Sequence, residues 1–214
     1  MNIEFGTYLV TQGSRSRGRT TEDVVAAAIA GGVDVVQLRE KGATARERYH
    51  LGRALREQTR DANVTYLVND RVDIAAAVDA DGVHLGDEDL PVAAARDVLG
   101  EGAIVGRSVS SVEAARRAVQ AGADYLGVGA VYATDSKDVR EEHAEIGPDT
   151  VAAIADAVDV PIVGIGGITA TNAPDVIAAG ADGVAVVSAI TAADDPEAAT
   201  RELTEAVQNV RERS

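Results

Sequence analysis

The chain has 214 residues, of which 46% are hydrophobic and 3% aromatic, enough to bury one core of Ala, Val, Ile and Leu in a single domain spanning residues 1–214. A formal net charge of -15 opposes binding of nucleic acid, and the absence of cysteine excludes thiolate metal sites, disulfides and cysteine nucleophiles. No apolar run reaches the roughly eighteen residues of a membrane span, and MNIEFGTYLV lacks the layout of a signal peptide, so the expectation is a cytoplasmic protein with no membrane partner.

Small phosphorylated ligands are compatible with this charge, because they need only a local positive pocket. Of the 20 basic residues only two are lysines, Lys41 and Lys137. Scarce lysine with abundant Asp and Glu predicts a halophilic protein, for which screening by salt removes the penalty of self-repulsion.

In chain order, branched apolar runs predict eight strands: Thr7 to Val10, Asp34 to Leu38, Thr65 to Val68, Gly82 to Leu85, Ala103 to Gly106, Tyr125 to Val128, Pro161 to Gly164 and Gly183 to Val187. Between them lie amphipathic patterns such as TTEDVVAAAIAGG, RERYHLGRALREQTR, SVEAARRAVQAG and TNAPDVIAAG. A phrase recurs at the joints: AGGVDVVQL, DADGVHL, AGADYLGVG and AGADGVAVV, each a small-residue helix end turning into a buried strand. Eight alternating units in this length predict an α/β fold, a single (β/α)8 TIM barrel. The longest irregular stretch, Thr134 to Gly147, is expected to be a lid over the barrel mouth.

Chemistry in such a barrel sits at the C-terminal strand ends, and polar residues collect there. In VVQLREKGAT, strand alternation puts Gln37, Arg39 and Lys41 on one face, as an amide donor and two cations for an anionic group. The plain alternative is a salt-bridged strand end with Glu40 or a helix acid as partner. Asn69 and Asp70 end the third strand, and Asp70 with Asp89 of the GDED segment could share one Mg2+ if neither is merely a solvated surface charge. His84 reads as a hydrogen-bonded structural residue ahead of a general base. Arg107 and Ser108 follow the fifth strand, and Thr134, Ser136 and Lys137 the sixth. GIGGIT, with Gly167, and the Val187–Ser188 pair in VVSAIT read as a phosphate site, against the alternative that the glycines only permit tight turns. No hydrolase triad or carboxylate pair for glycoside cleavage is legible.

QLREKG, VNDRVDIA, DGVHLGDEDL, YLGVGAVYATDSK, PIVGIGGIT and GADGVAVVSAI together resemble, in order and spacing, the thiamine-phosphate synthase family, from about Thr7 to Asp195. The resemblance implies coupling of 4-amino-5-hydroxymethyl-2-methylpyrimidine diphosphate with 4-methyl-5-(2-hydroxyethyl)thiazole phosphate to give thiamine phosphate and pyrophosphate. It implies that Gln37, Arg39, Lys41, Asn69, Ser108 and Lys137 hold the pyrimidine diphosphate, with Arg39, Lys41, Ser108 and Lys137 as catalytic groups. Asp70 and Asp89 would hold Mg2+; Thr134, Ser136, Gly167, Val187 and Ser188 would hold the thiazole phosphate. Two departures from the family pattern fall in the expected lid, where Ala133 stands in place of Pro and Ser136 in place of Thr, and Asp138 follows Lys137. The rival readings are a thiazole tautomerase, which needs one phosphate only, and a non-catalytic phosphate-ester sensor, which needs no paired Asp70 and Asp89. A monomer and a homo-oligomer both remain open.

Overall fold

Eight short apolar runs become parallel strands: β1 (Thr7–Val10), β2 (Val35–Leu38), β3 (Thr65–Asn69), β4 (Gly82–Leu85), β5 (Ile104–Val109), β6 (Tyr125–Gly129), β7 (Ile162–Ile165) and β8 (Gly183–Val186). In this computed structural model, which describes residues 5–134 and 145–213, they close in sequence order into a barrel, β8 pairing with β1. The helices between and after them are α1 (Thr21–Ala30), α2 (Ala45–Asp61), α3 (Val72–Ala77), α4 (Val92–Leu99), α5 (Val112–Gln120), α6 (Gly147–Ala155), α7 (Ala173–Ala178), α8 (Ser188–Thr191) and α9 (Pro196–Arg211). The predicted (β/α)8 barrel is the observed fold. No helix among the described residues is long and apolar enough to cross a membrane.

The period of two along each strand divides the apolar residues between two cores. Val36, Leu38, Tyr66, Val68, Val83, Leu85, Leu126 and Val128 face outward and pack beneath the helices. Tyr8, Val10, Val35, Leu67, Tyr125, Val163 and Ala185 face inward and fill the barrel. Gln37 and His84 belong to the inward set by alternation, which aims them up the barrel axis towards the C-terminal mouth.

β1 and β4 keep the expected bounds, and the other strand ends shift by a residue or more, most at β5, which continues to Val109. Arg107 and Ser108 read as polar strand ends, yet their backbones pair in register with Leu126 and Gly127 of β6. Ser108 is thus fixed by a ladder and does not sit on a loop.

The recurring phrase has a mechanical meaning at the opposite end of the barrel. Its aspartates, Asp34, Asp81, Asp124 and Asp182, stand just before β2, β4, β6 and β8, and each accepts the N–H of the first residues of the preceding strand. The acceptances are from Thr7 at 2.7 Å, Tyr66 at 2.8 Å, Val105 at 2.7 Å and Ile162 at 2.8 Å. Parallel strands leave such N–H groups without a ladder partner where the strand begins, and a carboxylate is a strong acceptor for them. Arginines brace two of these: Arg56 grips Asp81 through two bonds of 3.0 and 2.9 Å, and Arg96 reaches Asp124 at 2.8 Å. Asp124→Ala is expected to lower the unfolding free energy by about 1–3 kcal/mol, since it strands the Val105 N–H and loosens Arg96. A urea midpoint equal to that of the parent chain would refute this role.

Candidate active site

A cavity of about 480 Å³ opens at the C-terminal end of the barrel. Its walls bring together Gln37 and Arg39 from β2, Asn69 from β3, Ser108 from β5, Thr134 beyond β6, Gly167 beyond β7, and Val187 and Ser188 beyond β8. Eight of the residues anticipated from sequence therefore share one chamber. A smaller recess of about 90 Å³ adjoins it, lined by Arg39, Glu40, Lys41, Arg48, Asn69, Asp70 and Arg71. Arg39 and Asn69 face both spaces, so a ligand in the chamber can extend a charged tail into the recess. Ser136 and Lys137 lie outside the described residues, as does most of the expected lid.

The cationic end is built differently from the alternation argument. β2 stops at Leu38, and Lys41 sits in the turn beyond it, closed by the Ala43 N–H bonded to the Glu40 carbonyl at 3.1 Å. Lys41 reaches the recess because Arg48 of α2 donates to the Glu40 and Lys41 carbonyls, both at 2.8 Å. A capping box between Thr44 and Glu47 starts α2 directly after the turn. Glu40 forms no ion pair with Arg39 or Lys41 among the described residues. Its carboxylate accepts the Gly13 N–H at 3.0 and 2.9 Å and the Thr21 hydroxyl at 3.1 Å, tying the loop after β1 to the loop after β2. The Arg39 N–H adds a bond to the Thr11 hydroxyl at 3.0 Å.

Asp70 and Asp89 do meet. The Asp70 carboxyl is pushed up to about 6, first by burial, then by its hydrogen bond to Asp89 and the repulsion of that charge, against the pull of Lys41 and Arg39. Asp70 has φ of 63°, which turns the chain sharply out of β3. Asp89 also accepts the Gly86 N–H at 2.6 Å, fixing the loop after β4. Two carboxylates forced together beside a recess fit a hard divalent cation, which would relieve their repulsion and keep open positions for water and phosphate oxygens. Among the described residues there is no cluster of three or more His, Asp or Glu side chains that would form a complete protein cage. Two protein ligands suit Mg2+ held jointly with substrate better than a resident structural ion.

At the other end, Gly166 and Gly167 adopt φ of 103° and 64°. A Cβ on Gly167 would meet the Ala133 carbonyl oxygen at 2.5 Å, so only glycine lets the loop pass under the segment after β6. The Gly167 carbonyl accepts from Asn172 Nδ2 at 3.1 Å, while Asn172 Oδ1 accepts the Thr169 N–H at 2.8 Å, so the loop is held from both sides. α8 has four residues and α7 six, so helix dipoles contribute little here. An anion would be held by backbone N–H groups and hydroxyls, without a long helix.

Sequence reasoning missed the polar floor of the chamber. Tyr8, Gln37, His84, Ser108 and Tyr125 form a continuous set of hydrogen bonds inside the barrel. Burial raises the Tyr8 and Tyr125 phenols well above their ordinary range and keeps both neutral. Arg15, from the 3-10 turn Gly13–Arg15 after β1, also lines the chamber. The basic run after the first strand, SRSRGR, was the available signal for Arg15. Tyr8 and Tyr125 carry no local signal, because their meaning lies in a contact across 117 residues of sequence.

A (β/α)8 barrel with a cationic, carboxylate-bearing recess at one side of its mouth and a tight glycine loop at the other has the layout of an enzyme that works on charged small molecules. The sequence profile of the thiamine monophosphate synthase family matches residues 7–190. A thiamine-phosphate synthase of Haloquadratum walsbyi is 68% identical over 203 residues, covering 95% of this chain and 91% of that protein. One of Natronomonas pharaonis is 64% identical over 210 residues, covering 98% of each. The solved structure of a thiamine phosphate pyrophosphorylase from Pyrococcus furiosus superposes with a TM-score of 0.88 at 40% identity, covering 97% of this chain and 98% of that one. The chain belongs to the thiamine monophosphate synthase family.

Proposed function

We propose that the chain is a Mg2+-dependent thiamine-phosphate synthase that couples the pyrimidine diphosphate to the thiazole phosphate, with the residues named above in those roles. Formation of thiamine phosphate is the activity of its family and of relatives that match it end to end. The observation that carries the assignment of roles is the single chamber, in which Gln37, Arg39, Asn69 and Ser108 face Thr134, Gly167, Val187 and Ser188.

The chemistry follows from that placement. The bond between the pyrimidine methylene carbon and the diphosphate oxygen breaks with its electron pair leaving on oxygen. The lone pair of the thiazole nitrogen forms the new carbon–nitrogen bond. No proton need be lost from either reacting atom, so no triad or strong base is required, and the barrier falls by stabilising the departing charge and aligning the nucleophile. Arg39 offers a planar fork to the diphosphate, Lys41 a compact charge in the recess, and Ser108 a hydroxyl. Mg2+, when bound at Asp70 and Asp89, supplies neutralisation of diphosphate oxygens. Thr134, Gly167, Val187 and Ser188 anchor the thiazole phosphate, and Ser136 and Lys137 extend the two ligand sets from the segment after β6.

The enzyme works in the cytoplasm and in concentrated salt on this reading, the support for the salt being the charge of -15 and the two lysines. The direct test incubates purified protein in concentrated KCl with Mg2+ and both substrates and quantifies thiamine phosphate and pyrophosphate together. Equal yields establish the coupling; turnover without Mg2+ would remove the metal from the proposal.

The raised Asp70 carboxyl makes Mg2+ binding pH-dependent on this reading. Because its folded value, about 6, lies above the ordinary 3.8, the metal-free protein holds a proton there until the pH rises through about 6. Mg2+ must displace that proton, so affinity is expected to fall by up to about tenfold per pH unit below that value and to level off above it. Calorimetric titration at three pH values would test this, and a pH-independent Mg2+ affinity would contradict it. By the same linkage, the contribution of this group to metal-free stability is largest below about 3.8 and is lost as pH rises through about 6.

A further inference from the structure

Five side chains on five strands, β1, β2, β4, β5 and β6, form one line of hydrogen bonds across the barrel floor. Gln37 Nε2 donates to the Tyr8 hydroxyl at 2.5 Å, and Tyr8 and Tyr125 hydroxyls lie 3.0 Å apart. The Tyr125 hydroxyl is 2.8 Å from His84 Nδ1, and His84 Nε2 is 2.9 Å from Ser108 Oγ. Gly106 and Gly127 make room for it: a Cβ on Gly106 would lie 2.2 Å from the Tyr125 ring, and one on Gly127 2.8 Å from the His84 ring.

Each hydroxyl has one hydrogen to give, so such a line can run in either of two directions. Running from Gln37, every hydrogen finds an acceptor in turn: Tyr8 donates to Tyr125, Tyr125 donates to His84 Nδ1, and His84 Nε2–H donates to Ser108. The Ser108 hydrogen is then left for an acceptor in the chamber. In the opposite direction, Ser108 donates to His84 Nε2, His84 Nδ1–H to Tyr125 and Tyr125 to Tyr8. With Gln37 Nε2 as the amide atom facing Tyr8, Tyr8 would then receive two hydrogens, from Tyr125 and Gln37, with its own stranded in a site where Tyr8 is 1% and Tyr125 0% exposed. A buried donor left unpaired is the costlier arrangement.

We propose that Tyr8, Tyr125 and His84 are positioning residues that polarise this line in the first direction, holding His84 as the neutral Nε2–H tautomer and Ser108 as a donor aimed at a diphosphate oxygen. This rests on the reading of the chamber as a diphosphate site. At the other end, the Gln37 amide has one hydrogen committed to Tyr8 and keeps its second hydrogen and Oε1 for a ligand in the chamber. Unlike a general base, His84 transfers no proton in this scheme. Its effect reaches the substrate only through the direction it imposes on Ser108.

Two measurements test the line, and the first needs no substrate. In the 15N-histidine-labelled full chain, with the His84 signals assigned by their loss in His84→Gln, the neutral Nε2–H pattern is expected at pH 8. An Nδ1–H tautomer or an imidazolium would overturn the proposal. The second is a double-mutant cycle on kcat/KM for the pyrimidine diphosphate with Tyr125→Phe, an isosteric change, and Ser108→Ala. Tyr125→Phe is expected to cost roughly tenfold in the parent, as for weakening one hydrogen bond to a charged group, and close to nothing when Ser108 is already alanine. Equal costs in both backgrounds would mean that Tyr125 acts on packing alone and would overturn the inference. Absence of thiamine phosphate formation by the parent chain would defeat the functional reading instead, and the histidine spectrum would still decide the direction of the line.

Discussion

Asp89→Asn is expected to lower thiamine phosphate formation on the order of 100-fold at sub-saturating Mg2+, with part of the loss recovered as Mg2+ is raised. The substitution separates the two duties of this side chain. Asparagine retains an oxygen able to accept the Gly86 N–H, now bonded at 2.6 Å, so the loop after β4 keeps its shape. What disappears is the charge that, with Asp70, makes a divalent site. It also removes the repulsion that contributes to raising Asp70, so the Asp70 carboxyl should titrate lower in the variant. Steady-state rates over a Mg2+ series, with circular dichroism to confirm the fold, would check this; a full rate at limiting Mg2+ would take Asp89 out of the metal site.

Lys41→Ala should cost about 100-fold in kcat/KM for the diphosphate and leave the melting transition unchanged. The side chain is exposed and lies beyond the end of β2, so its removal takes nothing from either core. It faces the recess opposite Asp70, where the tail of a departing diphosphate would accumulate charge. Arg48→Ala provides the comparison. Arg48 holds the turn through the carbonyls of Glu40 and Lys41, so its loss should have a smaller effect, roughly tenfold, by letting Lys41 wander. Equal rates for parent and Lys41→Ala would mean that Arg39 alone manages the leaving group.

The strands and their order were legible because branched apolar runs recur between amphipathic segments, and a barrel is the compact way to bury eight of them. The residues of the chamber were legible because polar side chains are rare at the ends of buried strands: Gln37, Asn69 and Ser108 interrupt otherwise apolar runs. Lys41 entered the same argument by alternation, but the strand had already ended, and a turn held by Arg48 delivers it to the recess. The role of Glu40 was hidden because its partners, Gly13 and Thr21, are 27 and 19 residues away and one of them offers only a backbone N–H. The contact between Tyr8 and Tyr125 left no sign in the sequence for the same reason. Pattern reading finds which face a residue takes; it does not find which distant group meets it there.

The four aspartates beneath the barrel suggest how the molecule could be taken apart. Each binds an odd strand to the even strand after it, so the base of the barrel is a ring of four two-strand modules with equivalent joints. The mouth has no such regularity, since its strand ends carry amide, cationic, carboxylate, hydroxyl and glycine groups in no repeating order. Chain connectivity matters least where one module hands over to the next. A circular permutant with new termini between α4 and β5, which leaves all four aspartate joints intact, should retain the barrel better than one opened between α5 and β6, which severs the covalent link through Asp124. Fragments cut at module borders are the natural units for split-protein reconstitution, with the reaction returning only when the complete mouth is reassembled.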